Sequence, residues 1–318
     1  MTRFREGAPN FPSFCRRFGF HLLLVASCLL LPVHCAYVEA AVVAEADESP
    51  GVGDRQRAVV LVILDGLRAD QVTEERMPFL ARRRREGVWA ARAETVVPSR
   101  TTPALRAIWS GQPPERQPTD PSVATTIFDV MRAVDLRLGF FAAKGEIGRY
   151  TPTRLFDTSV LPGAWVPLRW SAEEVLPRAA AYLLTRQPDF TVVHLADIDT
   201  AGHTIGWLSM EQQAAQRRVD ELLSQFVNQV VTQTSDRSWV FVVTTDHGGH
   251  GNDHPGDLEE DRLIPWIAWG DGIPQGVVVQ RTVSIVDTAP TLLRLLDVPV
   301  PDPIGGVAVE EVFSAAGY

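Results

Sequence analysis

Cysteine is nearly missing from this 318-residue chain, and its three copies, Cys15, Cys28 and Cys35, all fall within the first 40 residues. Beyond them no disulfide can form and no thiolate can bind a metal, so any ion must be held by oxygen and imidazole. Lysine is scarcer still: Lys144 stands alone against 29 arginines. The imbalance reads mainly as compositional bias, but it singles out Lys144, since an ammonium and a guanidinium are not interchangeable. Positive charge is short overall. The formal net charge is −9, and Arg3, Arg5, Arg16 and Arg17 outnumber Glu6 and Glu39 in residues 1–40, so the remainder carries −11. An acidic body argues against a polyanion partner, and no nucleic-acid polymer is expected; local metal ions can still attract phosphate. Internal repeats and low-complexity tracts are absent.

The longest apolar run, residues 18–33, follows Arg16 and Arg17 and falls short of the roughly 18 to 20 residues that span a bilayer. With Val38 and Ala40 placed for cleavage before Ala41, residues 1–40 read as a signal peptide. This predicts export, to the periplasm or the extracellular space, with no stable membrane span in the mature chain. Val25-Ala26-Ser27-Cys28 resembles a lipoprotein cleavage box, but Leu29 to Leu31 continue the apolar run where polar residues normally follow, which argues against anchoring. A polar linker over 41–57 leads into residues 58–318, expected to form one domain. There, strands expected at 58–64, 136–142, 190–196, 239–244 and 264–269 alternate with helices expected at 78–85, 101–109, 125–134, 172–186, 210–232 and 284–296, as a parallel α/β fold requires. Residues 145–170, rich in proline and aromatics, are too short for a large cap insertion and read as a loop over the site.

Chemistry concentrates at three strand ends. The densest stretch is Thr244-Thr245-Asp246-His247-Gly248-Gly249-His250-Gly251-Asn252-Asp253-His254, directly after an apolar run. Imidazoles beside carboxylates at this density are metal-site chemistry. A second cluster, Asp197-Ile198-Asp199-Thr200-Ala201-Gly202-His203, follows the run 190–196, and Asp65-Gly66 ends the buried strand 58–64. Ligands of open α/β sheets lie beyond the carboxyl ends of strands, so the three ends are candidates for one shared site. Pro103 suits the first turn of a helix and sets Thr101 at its N-terminus, where free N–H groups favour a phosphoryl group. Thr101 is therefore either a nucleophile or an ordinary helix cap. His194, inside a strand, reads as a core or supporting histidine, and Asp197 as a residue that orients the loop or a ligand. Trp207, Trp266 and Trp269 could stack a base or aryl group, although packing at the rim is the plainer reading.

Asp65-Gly66-Leu67-Arg68-Ala69-Asp70, Pro98-Ser99-Arg100-Thr101-Thr102-Pro103, Asp199-x-x-Gly202-His203 and Thr245-Asp246-His247-Gly248, in that order, resemble the alkaline phosphatase superfamily, in its type I phosphodiesterase/nucleotide pyrophosphatase branch. The resemblance implies a three-layer α/β sandwich, with a mostly parallel central sheet and helices on both faces. It further implies two zinc ions, one held by Asp65, Asp246 and His247 and binding the Thr101 oxygen, the other held by Asp199, His203 and His254. His250 competes with His254 and otherwise supports it, as Asp197 does. The implied reaction is hydrolysis of a small phosphoric ester, of diester or nucleotide pyrophosphate type, through a phosphothreonine intermediate. Ala104 departs from the branch, where an asparagine generally contacts phosphate. Lys144 could bind nonbridging phosphate oxygens instead, as in some phosphomonoesterases, or be a solvated loop lysine. A phosphomonoesterase thus stays open. A sulfatase fits less well, because Thr101 replaces the Cys or Ser of its motif and Arg106 lies one place late; an exported binding protein would be expected to have lost ligands.

Overall fold

A computed structural model describes residues 57–163, 168–234, 237–254 and 256–313. The expected signal peptide, and the expected linker apart from Arg57, lie outside them. Eleven strands are described: β1 (Arg57–Leu64), β2 (Val88–Ala90), β3 (Ala93–Glu94), β4 (Leu138–Ala142), β5 (Thr158–Val160), β6 (Phe190–Leu195), β7 (Ser238–Thr244), β8 (Leu263–Ile264), β9 (Trp266–Gly270), β10 (Val277–Val279) and β11 (Val283–Ser284). Eight form one sheet in the order β10-β2-β9-β7-β1-β6-β4-β5. Within it β9 alone runs against the rest. A small second sheet takes β11-β3-β8.

β1 shows why the sheet is covered twice. Its residues are apolar without alternation, and period-two geometry sends Val59, Leu61 and Ile63 into one core and Ala58, Val60, Val62 and Leu64 into the other. Helices are α1 (Pro78–Glu86), α2 (Thr101–Ser110), α3 (Ile127–Ala133), α4 (Ala172–Arg186), α5 (Asp197–Ile205), α6 (Met210–Gln233), α7 (Glu259–Arg262) and α8 (Thr288–Leu295). Leu105 and Trp109 of α2, Phe128 of α3 and Leu292 of α8 fill the first core. Phe79 of α1, Leu183 of α4 and Leu223 and Phe226 of α6 fill the second. The result is a three-layer α/β sandwich on a mostly parallel sheet. Among the described residues, no helix is long and apolar enough to cross a membrane.

Some elements differ from expectation for local reasons. The strand expected at 264–269 breaks at Pro265, which has no N–H to donate; β8 pairs with β3, and β9 antiparallel with β7. The helix expected from 284 starts at Thr288, because Ser284 is held in β11 against Glu94. Within 145–170 the chain does not stay a loop. Thr158 to Val160 return to the sheet as its edge strand, paired with Gly139 to Phe141.

Register places the site. β1 lies between β6 and β7, with Leu64 opposite Leu195 and Ile63 opposite Thr244. The residues that follow these three strands therefore emerge side by side at one sheet edge. β4, next to β6 with Ala142 opposite His194, delivers Ala143 and Lys144 to the same edge.

Candidate metal centre and active site

The turn after β1 is tight. Asp65 N donates to Leu195 O at 3.0 Å, and Gly66 adopts φ +77° with a would-be Cβ 2.9 Å from the Cα of Asp199. Glycine is what lets the β1 turn and α5 approach so closely. The sequence after β6 forms α5, which was not expected. It sets Asp199 and His203 four residues apart on one helix face, with His203 Nε2 3.3 Å from Asp199 Oδ1. That i,i+4 spacing was the available signal. After β7, Thr245 Oγ1 donates to His247 O at 3.0 Å, and the Thr95 hydroxyl donates to Asp246 O, fixing the backbone that carries Asp246 and His247.

Three imidazoles share one posture. The Nδ1 of His203 is 2.9 Å from Asn252 O, that of His247 is 2.9 Å from Gly248 O, and that of His254 is 2.7 Å from Ser99 O. A carbonyl can only accept, so each Nδ1 carries a proton, and in the neutral ring each Nε2 keeps a lone pair. These lone pairs converge. His247 Nε2 lies 3.4 Å from both Asp65 Oδ1 and Asp246 Oδ2, and 3.2 Å from Thr101 Oγ1. His254 Nε2 lies 3.1 Å from His203 Nε2 and 3.9 Å from Asp199 Oδ1.

Such an arrangement fits divalent cations. Asp65 Oδ1, Asp199 Oδ1 and Asp246 Oδ2 are buried without a hydrogen-bond donor, a costly state unless a positive charge meets them. Asp199, His203 and His254 offer donor atoms within 4.8 Å of one another, as do Asp65, Asp199 and His247, and Asp65, His194 and Asp246. All are oxygen or imidazole donors, a set that suits a divalent metal ion.

Lys144 supplies a charge of its own. Its Nζ lies 2.5 Å from Asp65 Oδ2 and 2.7 Å from Asp199 Oδ2. Burial pushes the Asp65 carboxyl up, yet Lys144, His194 and His247 together hold it well below the usual range. Asp246 is raised, by burial first and then by the Asp65 charge. For Asp199, burial and Asp65 push up but are outweighed by His203 and Lys144, and the carboxyl is lowered. His254 is lowered by burial and by His247, which favours the neutral, lone-pair form. The cluster opens into a cavity of about 570 Å³ whose walls include Thr101, Lys144, Tyr150, Asp199, His203 and His254.

Most residues singled out in the sequence come together here: Asp65, Thr101, Lys144, Asp199, His203, Asp246, His247 and His254. Two do not. Asp197 turns its carboxylate to Ala172 N at 3.1 Å, at the start of α4, and so orients the loop. His250 pairs its Nδ1 with Asp261 Oδ1 at 2.7 Å. His194, weighed as core or supporting, is 1% exposed and turns Nε2 to Asp65 Oδ2 at 3.2 Å. The tryptophans pack: Trp207, Trp266 and Trp269 are buried, and Trp207 Nε1 donates to Gly66 O at 2.9 Å. Sequence reasoning passed over Ser99, buried behind His254, because a serine in a turn carries no signal of what it touches.

The architecture is that of the alkaline phosphatase superfamily. A superfamily member from Vibrio parahaemolyticus superposes with a TM-score of 0.64 at 19% identity, covering 80% of this chain and 69% of that one. Human ectonucleotide pyrophosphatase/phosphodiesterase 5 gives a TM-score of 0.65 at 14% identity, covering 80% of this chain and 98% of that one. Within that fold, the family model for type I phosphodiesterase/nucleotide pyrophosphatase matches residues 59–117 and 143–274. The chain belongs to this family. Among curated relatives, GPI ethanolamine phosphate transferase 2 of Aspergillus fumigatus is 25% identical over 301 residues, spanning 83% of this chain and 38% of that protein. The chain thus spans little more than a third of that relative's length.

Proposed function

We propose that this protein hydrolyses small phosphoric esters of the diester or pyrophosphate type, with Thr101 as nucleophile. The observation that carries the reading is Thr101 Oγ1 at the first residue of α2, 3.2 Å from His247 Nε2 and open to the cavity. Asp65, Asp246 and His247 would hold one zinc ion, with the Thr101 oxygen, and Asp199, His203 and His254 another. Bound there, the two ions supply charge that stabilises the attacking and leaving oxygens of an in-line displacement. The Thr101 hydroxyl gives up its proton to solvent and its oxygen forms a bond to phosphorus as the ester oxygen leaves and takes a proton from water. Water then cleaves the phosphothreonine, releasing phosphate or its monoester and restoring the hydroxyl. The free N–H groups of the first turn of α2 stabilise the nonbridging oxygens.

The phosphomonoesterase alternative rests on Lys144 binding nonbridging oxygens. Its ammonium is engaged by Asp65 and Asp199, which favours the diester reading. Parallel kinetics on bis-p-nitrophenyl phosphate, p-nitrophenyl phosphate and p-nitrophenyl sulfate with the zinc-loaded protein decide. The diester should give the highest kcat/KM; a monoester preference of tenfold or more reverses the assignment, and turnover of the sulfate alone removes it. We further propose export with cleavage after Ala40, on the pattern of residues 1–40. N-terminal sequencing of the processed protein tests it, and an intact Met1 refutes it.

A further inference from the structure

We propose that Lys144 is a positioning residue that restricts Asp65 and Asp199 to one donor oxygen each and thereby tunes the site toward zinc over calcium; this rests on the metal-site reading above. The two oxygens of each carboxylate are divided. Asp65 Oδ2 faces Lys144 Nζ at 2.5 Å and His194 Nε2 at 3.2 Å, while Oδ1 faces His247 Nε2 at 3.4 Å. Asp199 repeats the division, with Oδ2 on Lys144 Nζ at 2.7 Å and Oδ1 toward His203 Nε2 at 3.3 Å and His254 Nε2 at 3.9 Å. On both carboxylates, the oxygen left facing the imidazoles proposed as ligands, His247 for Asp65 and His203 and His254 for Asp199, is Oδ1.

The lysine is built for this. It leaves the end of β4, reaches past the end of β6 to Asp65 at the end of β1, and its side chain is 5% exposed. In a chain that otherwise uses arginine, the position holds the compact ammonium, whose donors point tetrahedrally and can grip two convergent oxygens. Removing it would free two buried carboxylate oxygens at the centre of the cluster. Zinc takes about four ligands and gains little from them, whereas calcium takes six to eight oxygens and uses bidentate carboxylates.

The test is the ratio of zinc to calcium affinity, measured with each ion alone on the purified protein by competition with a chromophoric chelator. Removing a positive charge should tighten both ions, and damage to the fold should weaken both, so neither moves the ratio much. Lys144→Met should shift the ratio toward calcium by tenfold or more. Lys144→Arg, which keeps the charge and donors, should stay nearer to wild type than Lys144→Met does. If Lys144→Met folds only with metal, the same ratio is read from the rise in melting temperature with each ion. A Lys144→Met ratio within threefold of wild type overturns the inference. Failure of the wild type to bind zinc would instead overturn the metal-site reading on which it stands.

Discussion

Ser99 grips His254 from both ends. The imidazole Nδ1 donates to Ser99 O at 2.7 Å, while Ser99 Oγ lies 2.6 Å from His254 O and 2.8 Å from Gly256 O. Two residues before Thr101, a buried serine thus ties the segment that enters α2 to the loop after β7. Ser99→Ala removes the single O–H that these two carbonyls share, which costs about 1–3 kcal/mol. The carbonyl that takes the His254 Nδ1 proton remains, so zinc affinity should fall only through loosening of the loop that carries His254, by roughly threefold to tenfold. Calorimetric zinc titration of the variant checks this, and an unchanged affinity shows that the hydroxyl does not position the loop for metal.

Thr101→Ala removes one hydroxyl at the start of α2 and should keep the fold and both ions. Turnover of a diester should drop by two to three orders of magnitude, or about 3–4 kcal/mol, with Thr101→Ser retaining part of it. Turnover by Thr101→Ala within tenfold of wild type would make water the attacking group and end the covalent mechanism.

Metal analysis of active protein should find two zinc ions per chain, and prolonged chelation should abolish turnover until zinc is restored. Asp65→Ala and His247→Ala should lose metal and activity together, the opposite signature to Thr101→Ala. A single calcium ion in active protein would contradict the assignment.

Asp220, on α6, is 2% exposed and accepts from Phe79 N at 2.8 Å and Leu80 N at 3.0 Å. Its carboxylate satisfies the first free N–H groups of α1 from across the core. Asp220→Ala should cost about 1–3 kcal/mol of stability by exposing that deficit, while diester KM at saturating zinc stays the same. Denaturant unfolding measures the first effect and steady-state kinetics the second.

Much of the site was already written locally in the sequence. Continuous apolar runs fix β1, β6 and β7 as strands buried on both faces, and the parallel fold brings their ends, with Asp65, Asp199 and Asp246, to one edge. Pro103 marked the first turn of α2 and so the place of Thr101, because its fixed φ suits that turn. The break at Pro265 was missed by the strand expected at 264–269, although its missing N–H was a local signal for it. Local pattern could not decide between His250 and His254, both in one glycine-rich stretch. The first is held by Asp261 and the second by Ser99, 155 residues away in the chain. Nor could it place Lys144, which could have been a loop cation in water or a phosphate contact. Strand order decided that: β4 lies beside β6 and β6 beside β1, so the lysine spans one strand end to reach Asp65 and Asp199. Short-range propensity and periodicity are properties of neighbouring residues. Which donors share a charge depends on contacts between distant segments, and those exist only once the sheet has assembled.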